Sequence, residues 1–581
     1  MGSCDAGAPI CRSSPVSGAR FFLARLTGAA GTPPVRSMLC LLCLLLPWLN
    51  PRAGGPSTSV EPWLVSAACA ALAFGMQRPA ALRLAVGLGL SALCGWDLAR
   101  SGLSPEALAL TAACLLMYMA GCVAAGGHDD RQELVRVIAL SWLLGAAIST
   151  GMALAQYFGV AGGAPDWINA SAAGEAYANL RQRNQFASLT VIGMASLFWL
   201  APRWPSGRPA LVPMVAMAWL AVGNAATTSR TGLLQVLLLG LLAFGWGGAR
   251  RQRMALWFAA LLAYALAALI LPWLLAKATG VAGHHLWERA AAIDACSSRT
   301  VLWSNVLHLI GQEPWLGWGW GNLDYAHYMT LYEGPRFCDI LDNAHNLPLH
   351  LAVELGVPAA LLICSGVLWA AARARPWTEA EPARQMAWAV LVVIAVHSLL
   401  EYPLWYGPFQ IAFGLCLGLL WPAGSRSAKA LPAAWAPAAS MALMATAAAV
   451  CAYAAWDYRR VSQIYLPPEA RAAGYEDPLP KIRKSWLFRN QAAFAELTIT
   501  PVTHANAQWT FDTAAAMLHY SPEPRVIEKL IDSAVILKRY DEALLHVARY
   551  RAAFPEAYAK WSESHSVPAQ AGSAAKAQPA T

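Results

Sequence analysis

The feature that most constrains this chain is a series of apolar runs, at about 38–50, 62–76, 80–97, 106–125, 135–159, 186–202, 209–226, 231–247, 254–275, 347–372, 385–400, 406–422 and 434–456. Most are long enough to cross a bilayer. Hydrocarbon offers no water to backbone N–H and C=O groups, so such runs must satisfy them internally, as helices do. The expected fold is an all-α polytopic membrane protein with about 12–13 transmembrane helices. Composition agrees: the 581 residues are 57% hydrophobic and 13% charged, against about a quarter charged in a soluble domain. Many of the 26 Trp lie near run ends, as interfacial anchors do. The run 38–50 lacks a convincing small-x-small cleavage site after it and reads as a retained anchor.

The net charge of +9 does not call for nucleic acid as a partner, because the basic residues are explained by topology. Arg131 and Arg136, Arg203 and Arg208, Arg250, Arg251 and Arg253, Arg373, Arg375 and Arg384, and Arg426 with Lys429 occupy alternate short loops. The positive-inside rule assigns these loops to the cytoplasm. The chain then divides into a disordered cytoplasmic segment 1–37, helices 1–9 over 38–275, a large outer loop 276–346, helices 10–13 over 347–456, an outer helical domain 457–561 and a disordered tail 562–581. In the helical domain, Val526, Leu530 and Ala534, then Ala543, Leu544, Val547 and Tyr550, recur at helical spacing on either side of Arg539-Tyr540-Asp541. This resembles one tetratricopeptide-like unit. One unit cannot bury its own face, so 483–520 is expected to supply neighbouring helices.

Arginines on the outer side run against the charge bias. Arg181 and Arg183 stand in Arg-Gln-Arg-Asn-Gln (181–185), Arg230 in Ser-Arg-Thr-Gly (229–232), and Arg299 in the long loop. A guanidinium forks onto phosphate oxygens and stays charged, so converging arginines suit a diphosphate at a membrane surface. The alternative for each is a snorkelling interface residue or a pair with an acidic neighbour.

The loop ends in Asp342-Asn343-Ala344-His345-Asn346, directly before an apolar run. His345 reads as a general base, with Asp342 near enough in sequence to orient its imidazole and Asn343 and Asn346 in support. The competing reading makes Asn346 the cap of the following helix and His345 a bystander. Gln185 is a further supporting residue. His350 with Glu354, and His397 with Glu401, sit at i, i+4 spacing. Their default role is structural hydrogen bonding between helices. Lacking a His-Glu-x-x-His run, they do not suggest a metal. Of 13 Cys, most fall inside apolar runs. Cys296 and Cys338 fall in the outer loop, where a disulfide would clamp its two arms. Spacing alone leaves bonded and free states both open.

The motifs Arg181–Gln185, Ser229–Gly232, Pro314-Trp315-Leu316-Gly317-Trp318-Gly319 and Asp342–Asn346 occur in this order about a long outer loop. The region from about 180 to 422 thereby resembles the bacterial protein O-oligosaccharyltransferases, or pilin-glycosylation ligases, of the O-antigen ligase and polymerase superfamily. The C-terminal part resembles the extension carried by such polymerases and ligases. The resemblance implies a multi-pass inner-membrane glycosyltransferase with its active site facing the periplasm and no cofactor or metal. Its partners would be membrane lipid, a glycan donor on undecaprenyl diphosphate and a periplasmic acceptor protein. It places His345 at the family's essential loop histidine, and Arg230 and Arg299 at arginines that engage the donor diphosphate. Direct displacement implies inversion. A protein Ser or Thr acceptor is favoured by the Arg-Gln-Arg-Asn-Gln motif and the helical extension. A growing glycan or a lipid A core are the alternatives. A lipid-linked sugar transporter would show internal repeats and broken helices, which the sequence does not display clearly.

Overall fold

The computed structural model describes residues 35–50, 60–76, 84–101, 104–125, 131–163, 167–203, 211–283, 295–421 and 436–565. The expected disordered ends lie outside these residues, apart from 35–37 and 562–565. Among the described residues all regular structure is helical. Each apolar run carries a helix: α1 (Val35–Leu49), α2 (Val60–Met76), α3 (Leu84–Ser101), α4 (Pro105–Ala125), α5 (Arg131–Tyr157), α6 (Arg183–Leu200), α7 (Leu211–Ala226), α8 (Arg230–Gly245) and α9 (Arg250–Thr279). The long loop adds α10 (Arg299–Gln312) and α11 (Leu323–Met329). Then follow α12 (Leu347–Leu355), α13 (Val357–Ala374), α14 (Pro382–Ser398), α15 (Gly407–Leu420) and α16 (Ala436–Ser462). Among the described residues, five helices suffice by length and composition to cross a membrane: Pro105–Ala125, Arg131–Tyr157, Arg183–Arg203, Arg250–Thr279 and Val357–Thr378.

Burial sorts these helices into layers. The apolar stretch of α6 is 94% buried, so this helix is the centre of the bundle, packed by α5, α7, α8 and α14. The corresponding stretch beginning at Val357 is only 6% buried. Leu361, Leu362, Val367, Leu368 and Trp369 of α13 point outward. An apolar face of that extent is what a lipid-facing helix presents.

One expected span is two helices. The run 347–372 breaks at Gly356, whose φ of 91° lies outside the helical range. Pro358 follows in the first turn of α13. The backbone groups freed by the break are taken up by the Trp-Gly loop: Trp318 N–H donates to Val353 O at 2.8 Å, Gly319 N–H to Glu354 O at 2.9 Å, and Val357 N–H to Pro314 O at 2.8 Å. Non-helical backbone at such depth persists only when protein satisfies it. The Pro314–Gly319 motif therefore works as packing for the helix break.

Cross-links between loops define the two ends of the bundle. At one end Trp246 Nε1 donates to Pro376 O (2.7 Å), Arg131 to Leu419 O (2.8 Å), and Arg384 pairs with Glu379 (2.7 Å), gathering the Arg-rich loops. At the other end lie 167–183, 226–230, the loop 295–346 and 399–406. After α16 come α17 (Leu479–Ile482), α18 (Arg489–Ile499), α19 (Ala507–Met517), α20 (Pro524–Ile536), α21 (Tyr540–Ala553) and α22 (Pro555–His565). The helices read from Val526 and Ala543 are α20 and α21, with α18 and α19 as neighbours; Lys538 turns between them at φ 64°. The core of this layer (Phe494, Leu497, Phe511, Leu530, Ile531, Tyr550) also contains Tyr328 of α11. His519 stacks on Tyr325 with ring centres 3.7 Å apart, and Arg549 Nε donates to Met329 O at 3.0 Å. The loop and the C-terminal helices thus share one hydrophobic core.

Candidate functional site

Four segments distant in sequence meet on one carboxylate, Glu401. His345 Nδ1 lies 2.6 Å from Glu401 Oε2. The Arg299 guanidinium forms an ion pair with Oε1. Asn184 Nδ2 donates to the same Oε1 at 3.3 Å, and Asn184 Oδ1 accepts from Ser229 Oγ at 2.6 Å. Ser229 Oγ in turn accepts from Gly232 N–H (3.0 Å) as the N-cap of α8, whose first residue is Arg230. Burial alone would push the Glu401 carboxyl up. The His345 hydrogen bond and the neighbouring Arg299 guanidinium act against it, and the group is held below its ordinary value.

Each member is set by its element. Arg299 opens α10, capped by Ser298 Oγ, which accepts from Val301 N–H. His345 has φ 49°, a left-handed backbone that a non-glycine residue keeps only when its surroundings enforce it. Here they do. His345 N–H donates to Asn343 Oδ1 (2.8 Å), and Trp303 Nε1 donates to Ala344 O (3.1 Å). Asn346 caps α12 by accepting from Leu349 N–H (3.1 Å) and donates to Leu399 O (3.0 Å), which ties the loop to the segment bearing Glu401. The cap and the positioned histidine coexist. Tyr402 packs edge-to-face with the imidazole, ring centres 5.0 Å apart.

The structure revises several sequence expectations. The imidazole's partner is Glu401. Asp342 is exposed and makes no hydrogen bond to His345, because the left-handed turn aims the ring at the 399–406 segment. Glu401 lies just past the end of α14 at Ser398, its N–H still donating to His397 O at 2.8 Å. His397 is fully buried, and its Nδ1 meets Ser188 Oγ at 3.0 Å. His350 and Glu354 pair within α12, Nε2 to Oε2 3.2 Å, rather than between helices. Arg183 takes an acidic neighbour, Glu175, at 2.9 Å. Arg181 sits at a left-handed turn (φ 59°), its guanidinium lowered by burial and surrounded by Tyr177, Tyr406 and Tyr458. Gln185 is buried in the first turn of α6 and makes no hydrogen bond to the cluster. Arg230 is exposed and in no ion pair among the described residues. Cys296 and Cys338 are joined by a disulfide, Cα–Cα 5.4 Å. Loop His327 is internal: Nδ1 meets Tyr332 OH at 2.8 Å, and burial lowers its imidazole to about 3.

Two contributors escaped the sequence reading. Asn184 and Ser229 stand inside the quoted motifs, but their contact spans 45 positions. Behind them, Gln156 and Asn179 bind the 167–181 loop through both ends of their amides. Gln156 donates to Asn169 O and Ala178 O and accepts from Ala178 N–H (2.7 Å), while Asn179 donates to Leu49 O and Trp167 O. A buried Gln at the end of an apolar run was the available signal.

Residues 176–201 match the family described as protein glycosylation ligase, 214–364 the family described as O-antigen ligase, and 385–567 the family described as virulence factor membrane-bound polymerase, C-terminal. Asn184, then Ser229, Arg230, Arg299 and His345, then Glu401, fall in these regions in turn. Among curated relatives, a general O-oligosaccharyltransferase of Acinetobacter baylyi is 25% identical over 256 residues, 42% of this chain and 43% of the relative. An O-antigen ligase of Pseudomonas aeruginosa is 30% identical over 241 residues, 41% of this chain and 50% of the relative. A ComP-specific O-oligosaccharyltransferase of A. baylyi is 25% identical over 254 residues, 42% and 44% respectively. The chain spans about half the length of the curated relatives it matches.

Proposed function

We propose that this chain, whose segments match families described as O-antigen ligase and protein glycosylation ligase, transfers a glycan from undecaprenyl diphosphate to Ser or Thr hydroxyls of periplasmic proteins. The observation that carries this reading is the shared carboxylate: Glu401 holds both His345 and Arg299, with Arg230, in no ion pair among the described residues, one residue from the same hydrogen-bond chain.

With Nδ1–H donated to Glu401, the neutral imidazole keeps its lone pair on Nε2. Nε2 takes the proton as the acceptor oxygen attacks the anomeric carbon. The carbon–oxygen bond to phosphate breaks, and its electron pair leaves on undecaprenyl diphosphate. The leaving group is already good, so alignment and charge stabilisation carry the step, and a metal is not required. Exposed Arg230 and half-exposed Arg299 would bind the diphosphate in this reading. One direct displacement inverts the anomeric centre.

The expected topology has about thirteen spans, with this site and the tetratricopeptide-like C-terminal helices on the periplasmic side. The Cys296–Cys338 disulfide supports that orientation, because disulfides persist in oxidising compartments. The C-terminal helices, sharing a core with the loop, are suited to present an acceptor protein near His345.

A second reading, transfer to a growing glycan or a lipid A core, draws on the O-antigen ligase and polymerase matches. Competition decides. The purified protein receives one lipid-linked glycan with a Ser/Thr-rich periplasmic protein, an oligosaccharide and a lipid A core together. Mass gain on the protein is expected. Product only on the sugar or lipid would establish the second reading.

A further inference from the structure

We propose that the Cys296–Cys338 disulfide is a positioning element of the site, one that holds Arg299 and His345 on their common carboxylate, so that glycan transfer depends on its oxidation. The inference rests on the reading of His345 and Arg299 given above. The crosslink spans 42 residues and joins the two strands of loop from which the Glu401 partners emerge. Cys296 lies in the 3-10 turn 295–297, directly before cap Ser298 and Arg299. Cys338 precedes the segment that turns through Asp342 to His345.

Non-covalent contacts hold the middle of α10 to the returning strand. Asn305 Nδ2 donates to Pro335 O (3.0 Å), Asn305 Oδ1 accepts from Phe337 N–H (2.8 Å), and Leu302, Val306 and Leu309 pack with Phe337, Leu341 and Ala344. That packing reaches the first turn of α10 through Val301 and Leu302. The disulfide and the Glu401 ion pair add two attachments at the start of α10, one just before Arg299 and one at its guanidinium. Without the covalent link, the segment leading into Arg299 loses its disulfide tie to the segment that leads to His345. Cys338 is exposed and Cys296 half-buried, so a reductant can reach the bond. Formation requires two thiols to lose two protons and two electrons to a disulfide-bearing oxidant, which departs as a dithiol.

The test uses the full chain in lipid nanodiscs, oxidised or reduced with dithiothreitol. Mass spectrometry of alkylated peptides establishes the state of Cys296 and Cys338. Reduction is expected to lower kcat per folded molecule about a hundredfold, the scale of a 1 Å misalignment. Oxidised glutathione restores the loss. The Cys296→Ser/Cys338→Ser protein matches the reduced form and ignores dithiothreitol. A positioning role further requires non-additivity: in an Arg299→Ala background, reduction costs less than about threefold. Verified reduction that leaves kcat within about twofold overturns the proposal, as does an equal hundredfold loss in the Arg299→Ala background. Absence of transfer in the oxidised wild type would instead contradict the proposed function.

Discussion

His345 Nδ1 stands 2.6 Å from Glu401 Oε2, although 56 positions separate the two residues. In the proposed mechanism this contact leaves Nε2 to accept the proton, and it restrains rotation of the imidazole. Glu401→Gln keeps the shape, removes the charge and lets the amide favour the wrong tautomer. Loss of an analogous carboxylate elsewhere costs about 10⁴-fold, so kcat is expected to fall by roughly 10²- to 10⁴-fold. Steady-state rates with a lipid-linked donor check this.

The same carboxylate gives a pH signature. Its folded pKa is depressed below the ordinary 4.5. The stability from its ionised form is therefore fully present above that value and lost as pH falls through the lower, folded value. Thermal unfolding from pH 7 to 3 should show a midpoint that declines on the acid side in the wild type. Glu401→Gln should flatten that part of the decline. An unchanged acid slope in the variant would remove Glu401 from the account.

Arg230 is exposed and unpaired among the described residues, so its loss leaves no buried charge behind. Arg230→Ala is expected to raise donor KM roughly tenfold to a hundredfold, the value of a charge-assisted hydrogen bond. The thermal midpoint should hold. Arg230→Lys keeps the charge without the fork and should fall between.

Gly317 has φ 65°, and a Cβ there would lie 2.5 Å from the Glu354 carbonyl carbon at the break between α12 and α13. Gly317→Ala is expected to destabilise the fold by about 1–3 kcal/mol from backbone strain, with the clash in addition. Size-exclusion yield and thermal midpoint report it. Wild-type stability would mean that the Trp-Gly loop does not pack the break.

How far the sequence spoke depended on the range of each interaction. Spanning helices were legible because lipid makes hydrophobicity a local code, and the Asn346 cap because it acts three residues away. The break at Gly356 carried its signal, a Gly two residues before Pro358, but apolar continuity on both sides masked it. Arg183 had its partner Glu175 only eight residues upstream. Glu401 was different. Its spacing from His397 is kept by a last turn beyond α14, with Glu401 N–H donating to His397 O, while its carboxylate meets Arg299, 102 positions away. Only the packing of α6, α8, α10 and α14 assembles that site. Likewise, nothing local in Tyr328 marked it for the core of helices two hundred residues later.

The most direct measurement of the central claim is a reconstituted transfer with purified protein, undecaprenyl-diphosphate glycan and a Ser/Thr-rich acceptor protein, read by intact mass with EDTA present. Wild-type protein is expected to add one glycan mass to the acceptor, and a folded His345→Ala protein is expected to add none. Equal modification by His345→Ala would contradict the account.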